Sequence, residues 1–324
     1  MVLSTGDILQ NRYRIGSLMS RGGMSNIYRG WHLTLDIAIA IKEMAPPSNV
    51  DPRRLTQLRE QFRQEAALLA RLEHPNLVDV LDFFRQGNNI YLVMDLVEGE
   101  SLGERIEREG ALPQNQVLKL AFPVMDALQY CHEQGIIHRD VKPSNIIIRP
   151  DGQPILVDFG LVKLWDPDKP DTEPGLQGIG TPEYAPPEQY GMQPGHTDPR
   201  SDIYGLGATL YHALTGQAPM TAADRTADVS PFEGAHAVNP AVSPEISAVI
   251  AKSLSLRVDD RFPDMAKMKN ALGKAARRAA QQEKQGRPRQ RRPGLSLDFD
   301  KVLVSIILGT IAFVLLLLAV LLSK

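Results

Sequence analysis

The chain has 324 residues, 43% of them hydrophobic and 23% charged, with a formal net charge of −2 at pH 7. That balance excludes a disordered chain, leaves room for one large domain or two smaller ones, and creates no demand for nucleic acid as a partner. The single cysteine, Cys131, excludes an internal disulfide, and no CxxC or paired Cys/His spacing suggests structural zinc, which fits a reducing compartment.

The opening MVLSTGDILQNRYRIG has no charged region followed by an apolar one, so no signal peptide is expected. The first third of the chain then alternates in short β-like runs: YRIGSL, NIYRGW, DIAIAIKEM and NIYLVMDLV. Between the third and fourth, Leu55, Leu58, Phe62, Leu69 and Leu72 keep helical spacing and predict a helix from about Arg53 to Leu72. After Gly99 the pattern is mainly helical, broken by strand-like pieces at Asn145–Ile148 and Ile155–Val157. A small β-rich lobe followed by a larger helical lobe is the coarse expectation, with no internal repeat.

Basic residues crowd the stretch from Lys267 to Arg292, and QGRPRQRRPG (285–294) reads as a flexible linker. The run Val302–Leu322 (VLVSIILGTIAFVLLLLAVLL) carries no charged side chain. About 20 helical residues cross a hydrocarbon core of about 30 Å, so a single-pass C-terminal membrane anchor is expected there. Basic residues beside a span stay cytoplasmic, which would leave the large N-terminal part at the cytoplasmic face of the cell membrane. The same residues read equally as a docking segment for anionic lipid or as a topology signal alone.

Phosphate chemistry is suggested by the segment Ser20–Tyr28 (SRGGMSNIY), whose glycines let backbone N–H groups approach phosphate oxygens. Lys42 closes the apolar strand AIAIK, and a buried lysine needs a charge partner; Glu65 on the following helix is the natural one. Further on, HRDVKPSN places Asp140, Lys142 and Asn145 together, and DFG adds Asp158. Phosphoryl transfer asks for positioned hydroxyl and phosphate groups and for metal ions that neutralise phosphate charge. Two carboxylates, a lysine and an amide match that need.

The blocks GGMSNIY, AIAIK, Glu65, HPNLV, HRDVKPSN, DFG, GTPEYAPPE, DIYGLG and DDRF follow one another between Asn11 and about Phe262. This ordered set resembles the eukaryotic-type (Hanks-type) protein kinases, especially their bacterial Ser/Thr branch. The resemblance implies an α+β bilobal protein-kinase fold: a small β-rich N-lobe with one long helix and a larger, mainly helical C-lobe. To this the sequence adds one C-terminal transmembrane helix. The expected organisation is a kinase domain over 11–265, a basic juxtamembrane helix or linker over 266–301 and the span over 302–322.

By the same resemblance ATP is the cofactor, with Mg²⁺ or Mn²⁺, and Ser/Thr hydroxyls of proteins are the acceptors. Asp140 would accept the substrate hydroxyl proton, Lys142 would lie beside the γ-phosphate, and Asn145 and Asp158 would hold the metal. Lys42, paired with Glu65, would contact the α/β-phosphates. Met19, Ser20, Gly22, Gly23, Met24 and Ser25 would cover the phosphates. Met94, Asp95 and Val97 would form the adenine hinge, with Ile27, Ala40 and Ile147 around the ring. Thr181 would shape the acceptor pocket, and Thr172 is the expected autophosphorylation site, paired when phosphorylated with Arg139. His138, Asp202 and the pair Glu188–Arg261 are expected to be structural. A second copy, for autophosphorylation in trans, joins protein substrates and the membrane among the expected partners.

Two departures matter. Ser20 and Ser25 stand where the family has the first and third loop glycines, and Pro186 precedes Pro187-Glu188 where alanine is usual. The serines put nucleotide affinity in question and leave a membrane-anchored pseudokinase, a nucleotide-binding scaffold, as the alternative. The segment GTPEYAPPE opposes a small-molecule kinase, because in the family that loop supports an extended protein substrate.

Overall fold

The computed structural model describes residues 3–21, 25–44, 51–87, 89–158, 163–164, 181–190, 197–227, 232–286 and 310. The expected span 302–322 therefore lies outside the described residues except for Thr310. Among the described residues no helix is long and apolar enough to cross a membrane.

Alternating side chains build the small lobe. Strands β1 (Ile8–Leu9), β2 (Tyr13–Arg21), β3 (Ser25–His32), β4 (Ile37–Met44), β5 (Val80–Gln86) and β6 (Asn89–Asp95) form one antiparallel sheet in the order β1-β2-β3-β4-β6-β5. Its period of two sorts residues onto two faces. Tyr28, Ile39, Ile41 and Tyr91 fill a cluster on one side. Ala40, Leu92 and Met94, from alternate positions, join the main core on the other. Helix α1 (Pro52–Leu69) follows β4 and directs Ala66 and Leu69 into that core.

The large lobe starts at β7 (Glu100–Ser101), where Ser101 and Glu104 form a reciprocal cap on α2 (Leu102–Glu109). Helix α3 (Gln114–Glu133) leads to β8 (Ile136–Ile137), then β9 (Ile146–Ile148) and β10 (Pro154–Leu156). β7, β9 and β10 make a three-stranded sheet, and β11 (Lys163–Leu164) pairs with β8. Helix α4 (Pro199–Thr215) is buried on nearly every face, as expected of a central core helix. Asp198 caps its start, and Gly216, at φ 73°, takes the left-handed turn that ends it. The helices α5 (Ala222–Ala227), α6 (Ala235–Val238), α7 (Pro244–Ser253) and α8 (Met265–Gly286) complete the lobe. Met265, Met268 and Leu272 of α8 are buried in its core, so the basic stretch from Lys267 begins on a helix seated in the lobe.

The lobe division matches the sequence expectation, with additions: the two-residue strands β1, β7, β8 and β11, and one longer strand. β5 (VLDFFRQ) was not foreseen as a strand; it pairs with β6, and its Asp82 accepts from Tyr13 Oη at 2.6 Å and Arg12 at 2.7 Å.

Candidate active site

The loop after β8 is held from beneath. Asp202, buried on α4, accepts from the backbone N–H of His138 at 2.9 Å and of Arg139 at 2.8 Å. His132 Nε2 of α3 lies 2.7 Å from the same carboxylate. Burial opposes the Asp202 charge, but His132 and these loop contacts prevail and hold its pKa below the usual carboxylate value. Arg139 sits at φ 67°, a left-handed conformation that costs a non-glycine residue about 1–3 kcal/mol. Two N–H bonds onto one buried carboxylate are what retain it. His138 is fully buried, and burial lowers its pKa, which suits a packed residue and not an acid or base.

That loop aims three functional groups at one point. Lys142 Nζ lies 2.8 Å from Asp140 Oδ2 and donates to Thr181 Oγ1 at 3.1 Å. Asn145 Nδ2 donates to Asp140 Oδ2 at 2.9 Å and to its backbone carbonyl at 2.8 Å. Asn145 closes a short 3₁₀ turn over Pro143–Asn145 and is buried, so its amide is fixed before any ligand arrives. Asp140 is thus oriented from two sides, by an amide and an ammonium.

The second carboxylate comes from the segment after β10. Asp158 takes φ 53° and accepts from Lys42 Nζ at 2.7 Å, joining small lobe to large. Burial pushes the Asp158 pKa up, but Lys42 and then Lys142 outweigh it and leave the group lowered. Glu65 lies on α1, but its side chain is outside the described residues, so the expected Lys42–Glu65 pairing is outside them too. Gly22, Gly23, Met24 and Thr172 also lie outside them. Met19 and Ser20 are exposed at the end of β2, and half-buried Ser25 opens β3.

The walls expected around adenine are apolar. Ala40 and Met94 belong to the main core, with Ile27 and Val97 packed against it. Ile147 is half-buried on β9, opposite Ser101 and Ile155. Asp95 ends β6, and its N–H donates to the Asp79 carbonyl at 3.0 Å.

This set (a lysine on a small-lobe strand, a carboxylate with a lysine and an amide on one loop, and a second carboxylate facing the first lysine) is matched by a family model. The protein kinase domain family matches residues 13–271. The chain belongs to the protein kinase family. The serine/threonine-protein kinase PknL of Mycobacterium tuberculosis is 36% identical over 263 residues, covering 79% of this chain and 64% of the relative. The serine/threonine-protein kinase C of Synechocystis sp. is 33% identical over 275 residues, covering 82% and 50%. This chain thus spans less than two thirds of either relative's length. In fold, the domain resembles the crystal structure of the Mycobacterium tuberculosis PknI kinase domain. The TM-score is 0.65 at 24% identity, covering 85% of this chain and all of that one.

Around the kinase site, two supports have distinct chemistry. Glu188 and Arg261 are both buried and form a fork of 2.7 and 2.9 Å, with Ser201 Oγ donating to Glu188 at 2.8 Å. Tyr184, three residues after Thr181, meets His212 Nδ1 of α4 at 2.7 Å; burial pushes the phenol to about 12 and the imidazole downward. The second contact was not foreseen. A lone histidine in LYHALTG carries no sequence signal, since the contact exists only once α4 is packed.

Proposed function

We propose that the chain is a Ser/Thr protein kinase that transfers the γ-phosphoryl group of ATP to hydroxyls of protein substrates at the cytoplasmic membrane face. Autophosphorylation at Thr172 is its means of self-activation. The carrying observation is the Asp140–Lys142–Thr181 contact chain, with Asn145 bonded to Asp140 and Lys42 to Asp158.

The residues fit the nucleotide and its metal. Mg²⁺ is held by one or two protein oxygens plus substrate phosphates, not by a dedicated protein cage. Asn145 commits its Nδ2 to Asp140; its carbonyl oxygen, 3.5 Å from Ser144 Oγ, would with Asp158 hold a divalent cation. That cation supplies charge neutralisation on the phosphates.

The chain's own groups do the rest. Asp140 orients the acceptor hydroxyl and takes its proton, while Asn145 and Lys142 hold the carboxylate in place. Lys142 also offers positive charge where the transferring group develops negative charge. Thr181 ties the acceptor loop to Lys142. The lysine in HRDVKPSN supports Ser/Thr over Tyr as the acceptor class. The membrane reading rests on the uncharged run Val302–Leu322 and the basic stretch before it.

The test is transfer of labelled phosphate from ATP by the full chain in detergent, beside Asp140→Asn and Lys42→Met. Loss of about 10³-fold or more in both variants is expected for groups that position the reacting atoms. A wild type that binds ATP and transfers nothing would refute the enzyme. Release of the protein from membranes by high salt alone would refute the anchor.

A further inference from the structure

Strand β4 carries two adjacent buried residues of charged type, Lys42 at 3% and Glu43 at 2% exposure, on opposite faces of the sheet. Lys42 belongs to the site. Glu43 points into the tyrosine-lined face and takes no part in the chemistry above. Its carboxyl accepts from Asn89 Nδ2 at 2.9 Å, Tyr28 Oη at 3.1 Å, Asn26 Nδ2 at 3.4 Å and Tyr91 Oη at 3.4 Å. Leu3 packs against the cluster that contains Tyr28 and Tyr91, so the N-terminal segment covers that face.

Register gives this network a consequence for the nucleotide. Asn26, Glu43 and Tyr91 are direct cross-strand partners on β3, β4 and β6. The adjacent rung is Ile27, Lys42 and Leu92. The polar rung faces the tyrosines and the Lys42 rung faces Asp158. A slip of one residue in β4 exchanges the faces, turning Lys42 into the tyrosines and Glu43 toward Asp158. Both faces of β4 are buried over Ile39–Met44, so apolar side chains alone discriminate weakly against that slip. A buried carboxyl discriminates strongly, because only one register supplies its donors, and a buried polar group without them is costly. Asn26 directly follows Ser25, so the same bond fixes the start of β3.

We propose that Glu43 is a positioning residue for nucleotide binding, its hydrogen-bond network fixing the β3–β4 register that presents Lys42. The proposal rests on the kinase reading of that site. Its test is equilibrium binding of a fluorescent ATP analogue with Mg²⁺ to the full chain in detergent, wild type beside Glu43→Leu. ATP affinity should fall by about tenfold, short of the ~100-fold that an ångström of misplacement costs at a reacting centre. KM for the protein acceptor should stay unchanged, and amide exchange in β3 and β4 should quicken. Affinity within about twofold of wild type, with only a lower melting temperature, would overturn the proposal and leave the network a purely stabilising one. Should Glu43→Leu fail to fold, Tyr91→Phe removes one donor; a smaller loss of ATP affinity is expected, and none would be equally fatal. A wild type that binds the analogue without transferring phosphate defeats the kinase reading, while the binding comparison still judges Glu43.

Discussion

The strongest energetic prediction concerns Arg261. Its guanidinium is buried and forks onto Glu188 at 2.7 and 2.9 Å, donates to the carbonyls of Ser255, Arg200 and Leu256, and lies 5.0 Å from the centre of the Tyr204 ring. Arg261→Met keeps much of the stem but strands the buried Glu188 carboxylate with Ser201 as its remaining partner among these contacts. Breaking a buried pair from one side costs about 3–5 kcal/mol. For a domain of this size that corresponds to a fall in melting temperature of about 6–20 °C.

Function should report the same event differently. Glu188 follows the loop of Thr181 and Tyr184, so its release disturbs the acceptor side of the site, while Lys42 and Asp158 lie elsewhere. KM for the protein acceptor should rise with KM for ATP unchanged, measured well below the melting temperature. The double variant Glu188→Leu with Arg261→Met removes both charges and should regain about 1–3 kcal/mol over the sum of the singles. Additivity of the two singles, or a loss below about 1 kcal/mol for Arg261→Met, would mean that the pair is not desolvated, and the reasoning fails.

Acid should destabilise the domain partly through Asp202. Its folded pKa is lowered, so its contribution is full above the unfolded value of about 3.9 and is lost as pH falls through the folded pKa. Urea midpoints should show a shallower acid limb in Asp202→Asn than in wild type; identical limbs would contradict the assignment. Arg139 donates to Thr197 Oγ1 at 2.7 Å, has no partner for Nε among the described residues, and has a pKa lowered by burial. If a Thr172 phosphate is what this cation awaits, Thr172→Ala and Arg139→Gln should each reduce transfer, and the double variant should be no worse than the weaker single. Full activity in Thr172→Ala, or active enzyme unmodified at Thr172 by phosphopeptide mapping, would end that assignment.

What the sequence disclosed was the chemistry that only a few residue types can do. Asp140, Lys142, Asn145 and Asp158 announce themselves because a carboxylate, an amide and an ammonium in one short segment have few other uses. β5 was illegible for a definite reason. A register shift between Val80 and Asp82 breaks the period of two, and Asp82 and Arg85 interrupt the apolar positions that would mark a strand. Glu43 was illegible for another. In AIAIKEM a Lys-Glu pair reads as the polar end of a strand, and nothing local announces that Tyr28 and Tyr91 will enclose the glutamate. Partners of this kind exist only after three strands have paired.

Two of the five non-glycine residues at positive φ among the described residues tie these observations together. Arg139 and Asp158 both hold positive φ, and each stands beside or within the groups that handle phosphate. Such conformations persist only where the surroundings over-determine them. At Arg139 the determinant is Asp202, fixed on a helix buried nearly all round; at Asp158 it is Lys42, whose strand register Glu43 secures on our proposal. Neither Asp202 nor Glu43 needs to touch the nucleotide. The geometry of transfer therefore depends on one carboxylate beneath the large-lobe loop and another behind the small-lobe sheet, and a change at either should act on the reacting groups through the backbone.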